Sequence, residues 1–262
     1  MRFVIIASAR TGSNFLITQL SSHPDIFCHG DIFHPNQPFL RWPGWPDERP
    51  PAEVNEFKRL KNLPPRDLLE RMYRLGFGRP HVGFKIFNGQ NNEILSQLIR
   101  DPEVKKIVLW RNNVLARYAS ALAARQTGNY GLLKMSQIQD RVLVQFRPQT
   151  FRNHHDNYVA FYDRVLNELS VCGEPYWLLR YDELNCHPLL DGLAVFIGAE
   201  AGKMSRLAIK AVRGPADVLA RFSNPDEVAD YLAKNGLQHW AHEGDVSLSP
   251  LAVSEESIRS AE

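Results

Sequence analysis

Residue types that bind oxyanions follow the first apolar run of the chain, residues 3–7. Arg10 supplies a fixed cation, Gly12 permits a tight turn, and Thr11 and Ser13 supply hydroxyl donors. An apolar pattern at helical spacing then resumes at Phe15, Leu16 and Leu20. A strand, a tight turn and a helix start place converging backbone N–H groups and a helix dipole at one point. The segment therefore predicts a site for a phosphate or a similar oxyanion.

This turn differs from the loop of nucleoside triphosphatases. That loop requires Gly-x-x-x-x-Gly-Lys-Ser/Thr, in which the lysine contacts the transferred phosphate and the hydroxyl binds magnesium. Here Ser13 follows Gly12, no lysine lies nearby in the sequence, and the cation precedes the glycine as Arg10. The alternative interpretation is an ordinary strand-to-helix turn that carries a surface arginine.

A second strand-to-helix segment spans residues 107–120. Its apolar run ends near Arg111, and the predicted helix that follows carries Ser120. An arginine offers a planar fork to a phosphate, and a serine adds a short hydroxyl donor; Arg117 is a further candidate for the same role. Open α/β sheets bind ligands at the carboxyl ends of their strands, so both segments are expected to face a ligand. Taken alone, Arg111 and Ser120 are also compatible with plain surface positions.

An alternation of predicted strands and helices positions these segments. Strands are predicted near residues 3–7, 26–28, 81–87, 106–110 and 176–179, and helices near 13–22, 52–75 with an interruption, 92–100, 114–124, 151–169 and 182–197. This alternation predicts a single α/β domain over residues 1–262, with a mainly parallel sheet flanked by helices. Residues 34–51, which are rich in proline and hold Trp42 and Trp45, are predicted as a long loop, and the tail from about residue 250 as frayed.

Composition favours a compact intracellular enzyme. The 262 residues are 44% hydrophobic, enough for a large core, and the net charge of +2 gives no signal for nucleic-acid binding. Three widely spaced cysteines fit neither a disulfide framework nor a zinc site, and the adjacent His154 and His155 make a poor chelate, so no metal is predicted. The first apolar run is too short for a signal peptide and no segment approaches a membrane span, so a cytoplasmic location is expected.

The order Arg-x-Gly-Ser after the first strand resembles the 5′-phosphosulfate loop of sulfotransferases, which use 3′-phosphoadenosine 5′-phosphosulfate (PAPS). The strand-end Arg111 with a helical serine is similar to the 3′-phosphate clamp of that family, whose serine more commonly stands at the position of Ala119. Further similar stretches are residues 28–35 (CHGDIFHP), 82–86 (VGFKI), 180–184 (RYDEL) and 222–227 (FSNPDE). The chain thus resembles bacterial sulfotransferases of the nodulation-factor and lipopolysaccharide type.

The resemblance implies a P-loop-like nucleotide fold, PAPS as co-substrate and no metal requirement. It also implies that Asp31 is the general base and that Lys85 steadies the sulfonate or the bridging oxygen, with Arg10 and His34 as further catalytic residues. The alternative base is His29 or His34, and the alternative roles are turn capping for Asp31 and snorkelling for Lys85. The implied cofactor-binding residues are Arg10, Thr11, Gly12, Ser13, Asn14, Phe15, Arg111 and Ser120. The family more commonly has threonine where this chain has Asn14.

The predicted reaction is sulfuryl transfer to a hydroxyl of a carbohydrate or another polyhydroxylated small molecule. Trp42, Trp45 and Tyr130 suit the apolar face of a sugar ring, or else form a local core of their own. One alternative is an ATP-dependent small-molecule kinase, which the missing Gly-Lys-Ser/Thr and magnesium carboxylate disfavour. The other is a non-catalytic nucleotide-binding module of the same fold. Acceptor identity and oligomeric state stay open, and no nucleic-acid or membrane partner is predicted.

Overall fold

The computed structural model describes residues 1–35, 39–45, 48–59, 63–128, 142–205 and 216–243. A five-stranded sheet has the order β2-β3-β1-β4-β5, and each neighbouring pair is parallel. The strands are β1 (Arg2–Ala7), β2 (Ile26–Asp31), β3 (His81–Phe87), β4 (Val104–Trp110) and β5 (Tyr176–Arg180). The nearly continuous burial of β1, β2 and β3 is typical of parallel strands covered on both faces. The predicted α/β fold with a parallel sheet is confirmed.

Helices separate most of the strands along the chain. They are α1 (Ser13–Ser21), α2 (Ala52–Arg59), α3 (Pro65–Tyr73), α4 (Asn92–Arg100), α5 (Val114–Thr127), α6 (Pro148–Cys172), α7 (His187–Ile197) and α8 (Pro225–Asn235). Side-chain oxygens of Asn91 and Asn113 cap α4 and α5 by accepting backbone N–H groups at 3.0 and 2.8 Å. The helix predicted at 151–169 is longer at both ends, since Pro148 suits a first helical turn. The segment predicted as helical from 182 begins instead as a short 3₁₀ turn, Tyr181–Asn185.

The chain divides into two compact units. Among the described residues, the first unit holds 1–110 and 164–205 with all five strands, and the second holds 111–163 and 216–243 without the gap at 129–141. The core of the first unit is aliphatic and centres on β1 and α1, whereas the second has an aromatic cluster of Tyr118, Phe146, Phe151 and Phe222. No helix among the described residues is long and apolar enough to cross a membrane. Tyr130 and the predicted frayed tail lie outside the described residues.

An irregularity in β2 decides which residue stands beside β3 at the carboxyl end of the sheet. Cys28 pairs with Gly83, but Asp31 rather than Gly30 pairs with Lys85, so one extra residue is accommodated in β2. A β-carbon on Gly30 would lie 2.6 Å from the backbone oxygen of Phe39, which only glycine tolerates. The shift therefore brings the carboxylate of Asp31 opposite the ammonium of Lys85.

Candidate active site

The turn between β1 and α1 has the backbone geometry of an anion site. Arg10 and Gly12 adopt positive φ values of 69° and 86°, and such a conformation at an arginine is a local strain that is often found at functional sites. Gly12 is the N-cap of α1, which has neither a side-chain cap nor an acidic residue in its first turn. The first N–H groups of α1 and the positive end of its dipole are therefore not neutralised by a capping side chain.

The two hydroxyls of this turn differ in their availability. Thr11 is fully buried and donates its hydroxyl hydrogen to the backbone oxygen of Ser8 at 2.7 Å. It closes the turn, so the predicted hydroxyl donation from Thr11 to a ligand is not what this geometry offers. Ser13 is also buried, but its hydroxyl makes no hydrogen bond to another described residue. Ser13 is therefore the better hydroxyl donor, while Arg10 is half-buried and Asn14 is exposed at the helix start.

Gly12 is required by packing as well as by its φ value. A β-carbon at this position would lie 2.5 Å from Cδ1 of Leu184 and 2.9 Å from Cδ2 of Tyr181. These two residues belong to the corner after β5 that the sequence analysis singled out at residues 180–184. The corner is held by Arg180, whose backbone N–H and Nε donate to the carboxylate of Glu183 at 2.8 and 3.0 Å. The late corner thus supports the anion turn directly.

Three predicted site residues meet at the carboxyl ends of β2 and β3. Nζ of Lys85 lies 3.7 Å from Oδ1 of Asp31 and donates to Oδ1 of Asn14 at 2.6 Å. Asp31 and Lys85 are only 7% and 4% exposed. Lys85 therefore does not extend its ammonium into solvent as a snorkelling lysine would, and Asp31 is not a surface carboxylate. The carboxylate of Asp31 does not cap the following turn. The backbone N–H groups of His34 and Phe39 donate instead to the backbone oxygen of Asp31, at 3.2 Å each.

Gln90 is a member of this cluster that the sequence analysis missed. Its Nε2 donates to Oδ2 of Asp31 at 2.9 Å, and its Oε1 accepts from the backbone N–H of Phe87 at 3.0 Å. The second bond fixes the orientation of the amide, because only the NH₂ group is then directed at the carboxylate. A polar residue in the turn directly after the Gly-x-Lys strand was the available signal. Gln90 holds one oxygen of Asp31 while the other faces Lys85.

Burial lowers the pKa of Lys85 to about 8, and the negative charge of Asp31 opposes this decrease. The ring of Phe87, 4.6 Å from Nζ, adds a cation–π contact. The ammonium is therefore still mostly charged near neutral pH, yet it loses its proton within the range in which enzymes are assayed. A cation of this kind is suited to bind developing negative charge.

The two histidines beside Asp31 are placed differently. His29 is fully buried: its Nε2 contacts the backbone oxygen of Leu75 at 2.9 Å and its Nδ1 accepts from the backbone N–H of Arg41 at 3.3 Å. Burial lowers the pKa of His29 to about 4. With both ring nitrogens bonded to backbone groups, His29 has a structural role and does not suit a base. His34 is half-buried, with its ring 4.9 Å from that of Phe39.

Arg111 belongs to the second unit, directly before α5. Its backbone N–H donates to the hydroxyl of Tyr158 at 2.7 Å, and its Nε donates to Oε1 of Glu243 at 2.7 Å. Arg221 donates to the other oxygen of Glu243 at 2.7 Å. Burial alone favours the neutral acid, but the two guanidinium groups outweigh it and keep the pKa of Glu243 below its ordinary value. Glu243, which the sequence analysis missed, thus bridges two arginines from residues far apart in the chain.

The other predicted members of the second segment lie on α5. Ser120 is half-buried, and Ala119, at the position where the resembled family has serine, is buried. Arg117 is engaged within its own unit: its Nη1 lies 2.5 Å from Nε2 of His154, and its guanidinium stacks on Tyr158. Both arginines are thus engaged within the second unit, Arg111 with Glu243 and Arg117 with His154 and Tyr158 of α6.

The described part of the predicted loop is an ordered aromatic and cationic segment. Trp42 and Trp45 are in edge contact with ring centroids 6.5 Å apart, and Nε1 of Trp42 donates to the backbone oxygen of Glu48 at 2.9 Å. Arg41 stacks on Trp45 at 4.3 Å. Residues 36–38 and 46–47 of this loop lie outside the described residues. The loop directly follows Asp31, so its side chains are close in sequence to the candidate base.

Comparison with known proteins gives consistent relatives, although no family model matches the chain. Nodulation protein H of Rhizobium tropici is 33% identical over 220 residues, which cover 79% of each protein. Nodulation protein H of Rhizobium meliloti is 31% identical over 209 residues, covering 76% of this chain and 78% of the relative. A crystal structure of a sulfotransferase from Alicyclobacillus acidocaldarius aligns with 91% of this chain and 96% of its own at 18% identity, with a TM-score of 0.49. The chain belongs to the sulfotransferase family, with nodulation protein H among its relatives.

Proposed function

We propose that this sulfotransferase moves the sulfuryl group of PAPS to a hydroxyl of a carbohydrate acceptor. The observation that carries the proposal is the cluster of Asp31, Lys85 and Asn14 at the uncapped start of α1. An anion-binding helix start, a buried cation and a buried carboxylate are the three parts that in-line sulfuryl transfer requires. The relatives' name supports an acceptor in nodulation chemistry, and the tryptophans beside the site suit a sugar ring.

Asp31 is proposed to take the proton of the acceptor hydroxyl. The hydroxyl oxygen then forms the new bond to sulfur, and the bond from sulfur to the bridging oxygen breaks, so that adenosine 3′,5′-bisphosphate leaves. Lys85 stabilises negative charge on the bridging oxygen or the sulfonate, and Arg10, Ser13 and the first N–H groups of α1 bind the 5′-phosphate. Gln90 keeps the carboxylate of Asp31 in one orientation during proton transfer. His34 is the alternative base.

Arg111 is proposed to bind the 3′-phosphate of the donor. Its guanidinium is a charged, planar donor that suits a phosphate, and Tyr158 fixes its backbone from both sides, accepting from the N–H and donating to the carbonyl oxygen at 3.1 Å. The chain has alanine at position 119, so this position supplies no hydroxyl beside Arg111. Ser120 is the serine of α5 that could compensate.

The test of the proposed function is a turnover assay with PAPS and neutral or acidic N-acetylglucosamine oligosaccharides, in which adenosine 3′,5′-bisphosphate release is followed without magnesium. Asp31→Asn keeps the shape of the side chain and should reduce turnover by roughly 10²–10⁴-fold, while binding of adenosine 3′,5′-bisphosphate is retained. His34→Ala is the matched comparison. Near-normal turnover of Asp31→Asn together with inactive His34→Ala would assign the base to the histidine. Magnesium-dependent consumption of ATP would instead indicate a kinase.

A further inference from the structure

Arg41 makes contacts to three elements of the first unit. Its backbone N–H donates to Nδ1 of His29 in β2, and its Nη1 and Nη2 each lie 3.2 Å from Oγ1 of Thr18 in α1. Its guanidinium lies over the ring of Trp45 at 4.3 Å. A strand, a helix and the loop thus fix one guanidinium, and the same helix begins at the anion turn. This precision resembles that of a binding residue more than that of a surface arginine.

The partners of this guanidinium among the described residues carry no charge. Thr18 offers a hydroxyl and Trp45 an aromatic ring, and among the residues that the structure describes no carboxylate lies within ion-pair distance of Arg41. Burial lowers the pKa of Arg41 to about 10, and the charge of Arg41 contributes to the low pKa of Lys85. A half-buried cation that has no counter-charge among the described residues is less favourable than a paired one. An anion bound beside Arg41 would offset that cost.

The hydrogen-bonding capacity of Arg41 points to the same ligand chemistry. Both terminal nitrogens use one N–H on the same hydroxyl oxygen, so the guanidinium keeps further N–H donors for a ligand. Carboxylate, phosphate and sulfate groups accept such donors in pairs. The backbone of the loop is also tied to the base, since the N–H of Phe39 donates to the backbone oxygen of Asp31 at 3.2 Å. A ligand on Arg41 would therefore contact the loop whose backbone is bonded to Asp31.

We propose that Arg41 binds an oxyanion of the acceptor, so that the preferred acceptor carries a carboxylate, phosphate or sulfate group near the hydroxyl that is sulfated. This inference rests on the proposed function and narrows its substrate class. It assigns the loop a charged specificity contact in addition to the apolar faces of Trp42 and Trp45. The anion offsets the charge of Arg41, and its binding also relieves the repulsion between Arg41 and Lys85.

The experiment compares two oligosaccharide probes of equal length by titration calorimetry, with and without adenosine 3′,5′-bisphosphate. One probe alternates N-acetylglucosamine with glucuronic acid, and the other contains N-acetylglucosamine alone. The wild-type protein should bind the acidic probe about tenfold more tightly, and Arg41→Gln should abolish this difference while the neutral probe still binds. Thr18→Val removes the hydroxyl but keeps the guanidinium, so it should retain the preference.

Three results would overturn the proposal: equal affinities of the wild-type protein for both probes, no binding of either probe, or an equal loss for both probes in Arg41→Gln. A fourth concerns the donor. If Arg41 contacts the sulfonate, Arg41→Gln should weaken adenosine 5′-phosphosulfate relative to adenosine 5′-phosphate, and the anion would belong to the donor instead. Because the probes are also titrated without nucleotide, failure of this inference is distinguishable from failure of the proposed donor chemistry, which appears as absent nucleotide binding and turnover.

Discussion

Asn14 is a neutral hydrogen-bond partner of Lys85, and we expect it to influence the protonation of the lysine, which can be measured without knowing the acceptor. Oδ1 of Asn14 accepts from Nζ of Lys85 at 2.6 Å, and this hydrogen bond stabilises the charged form of the lysine. A hydrogen bond to a charged group contributes about 1.5–3 kcal/mol, and the exposure of Asn14 to water favours the lower limit. Since one pKa unit corresponds to about 1.4 kcal/mol, Asn14→Ala should lower the pKa of Lys85 by roughly one unit.

The opposite substitution provides the matched control. Asn14→Asp places a negative charge at the same position and should raise the pKa of Lys85 by about one unit above its value of about 8. NMR titration of ¹³C-labelled lysine measures the midpoint directly, with the resonance assigned by Lys85→Arg. The high-pH decline of turnover should move with it. Identical midpoints in both variants would refute the idea that the hydrogen bond from Asn14 contributes to this pKa.

Three further outcomes are expected. Gly12→Ala should lower the free energy of unfolding, measured in urea, by about 2–4 kcal/mol, because φ is positive and the new β-carbon would clash with Leu184. Gly173 also has a positive φ but lies in open space, so Gly173→Ala should lower it by only about 1 kcal/mol. Because His29 is protonated more readily in the unfolded chain, the free energy of unfolding should fall by roughly 3 kcal/mol as the pH falls from 6.5 to about 4. His29→Asn should flatten this part of the curve of stability against pH. Arg111→Ala should weaken adenosine 3′,5′-bisphosphate by roughly 2–4 kcal/mol in calorimetry but adenosine 5′-phosphosulfate much less; equal losses would contradict its contact with the 3′-phosphate.

Local patterns were sufficient to predict the sheet and the anion turn. Buried parallel strands are mostly apolar, so the runs at 3–7 and 107–110 are recognisable in the sequence, and the arginine and glycine of the turn come soon after the first of them. The order of the strands and the pairing of Asp31 with Lys85 depend on contacts between distant residues. The extra residue in β2 could not be predicted, because it arises where the backbone of Phe39 approaches Gly30.

The remaining site residues were missed for the same physical reason. Gln90 and Glu243 have no local motif, and each acquires its role from a partner 59 or 132 positions away in the chain. Thr11 illustrates the converse: its residue type suggests a ligand donor, whereas in the structure its hydroxyl donates to a carbonyl three positions earlier. Residue type thus indicates what a side chain can donate or accept, and only tertiary contacts decide whether that capacity is available to a ligand.

The buried charge at the ends of β2 and β3 lowers the stability of the folded protein, and it places a cation where the proposed reaction needs one. Burial lowers the pKa of Lys85 from 10.5 to about 8, so between these values the unfolded chain binds more protons than the folded one, and stability should rise with pH. Catalysis should change in the opposite direction, because a neutral Lys85 no longer stabilises the leaving oxygen. Folding therefore keeps a cation where it is unfavourable in the absence of a ligand. Asp31 offsets part of the charge of Lys85 in the folded protein, and we expect the sulfonate and an acidic acceptor to add negative charge beside Lys85 and Arg41 when the substrates bind.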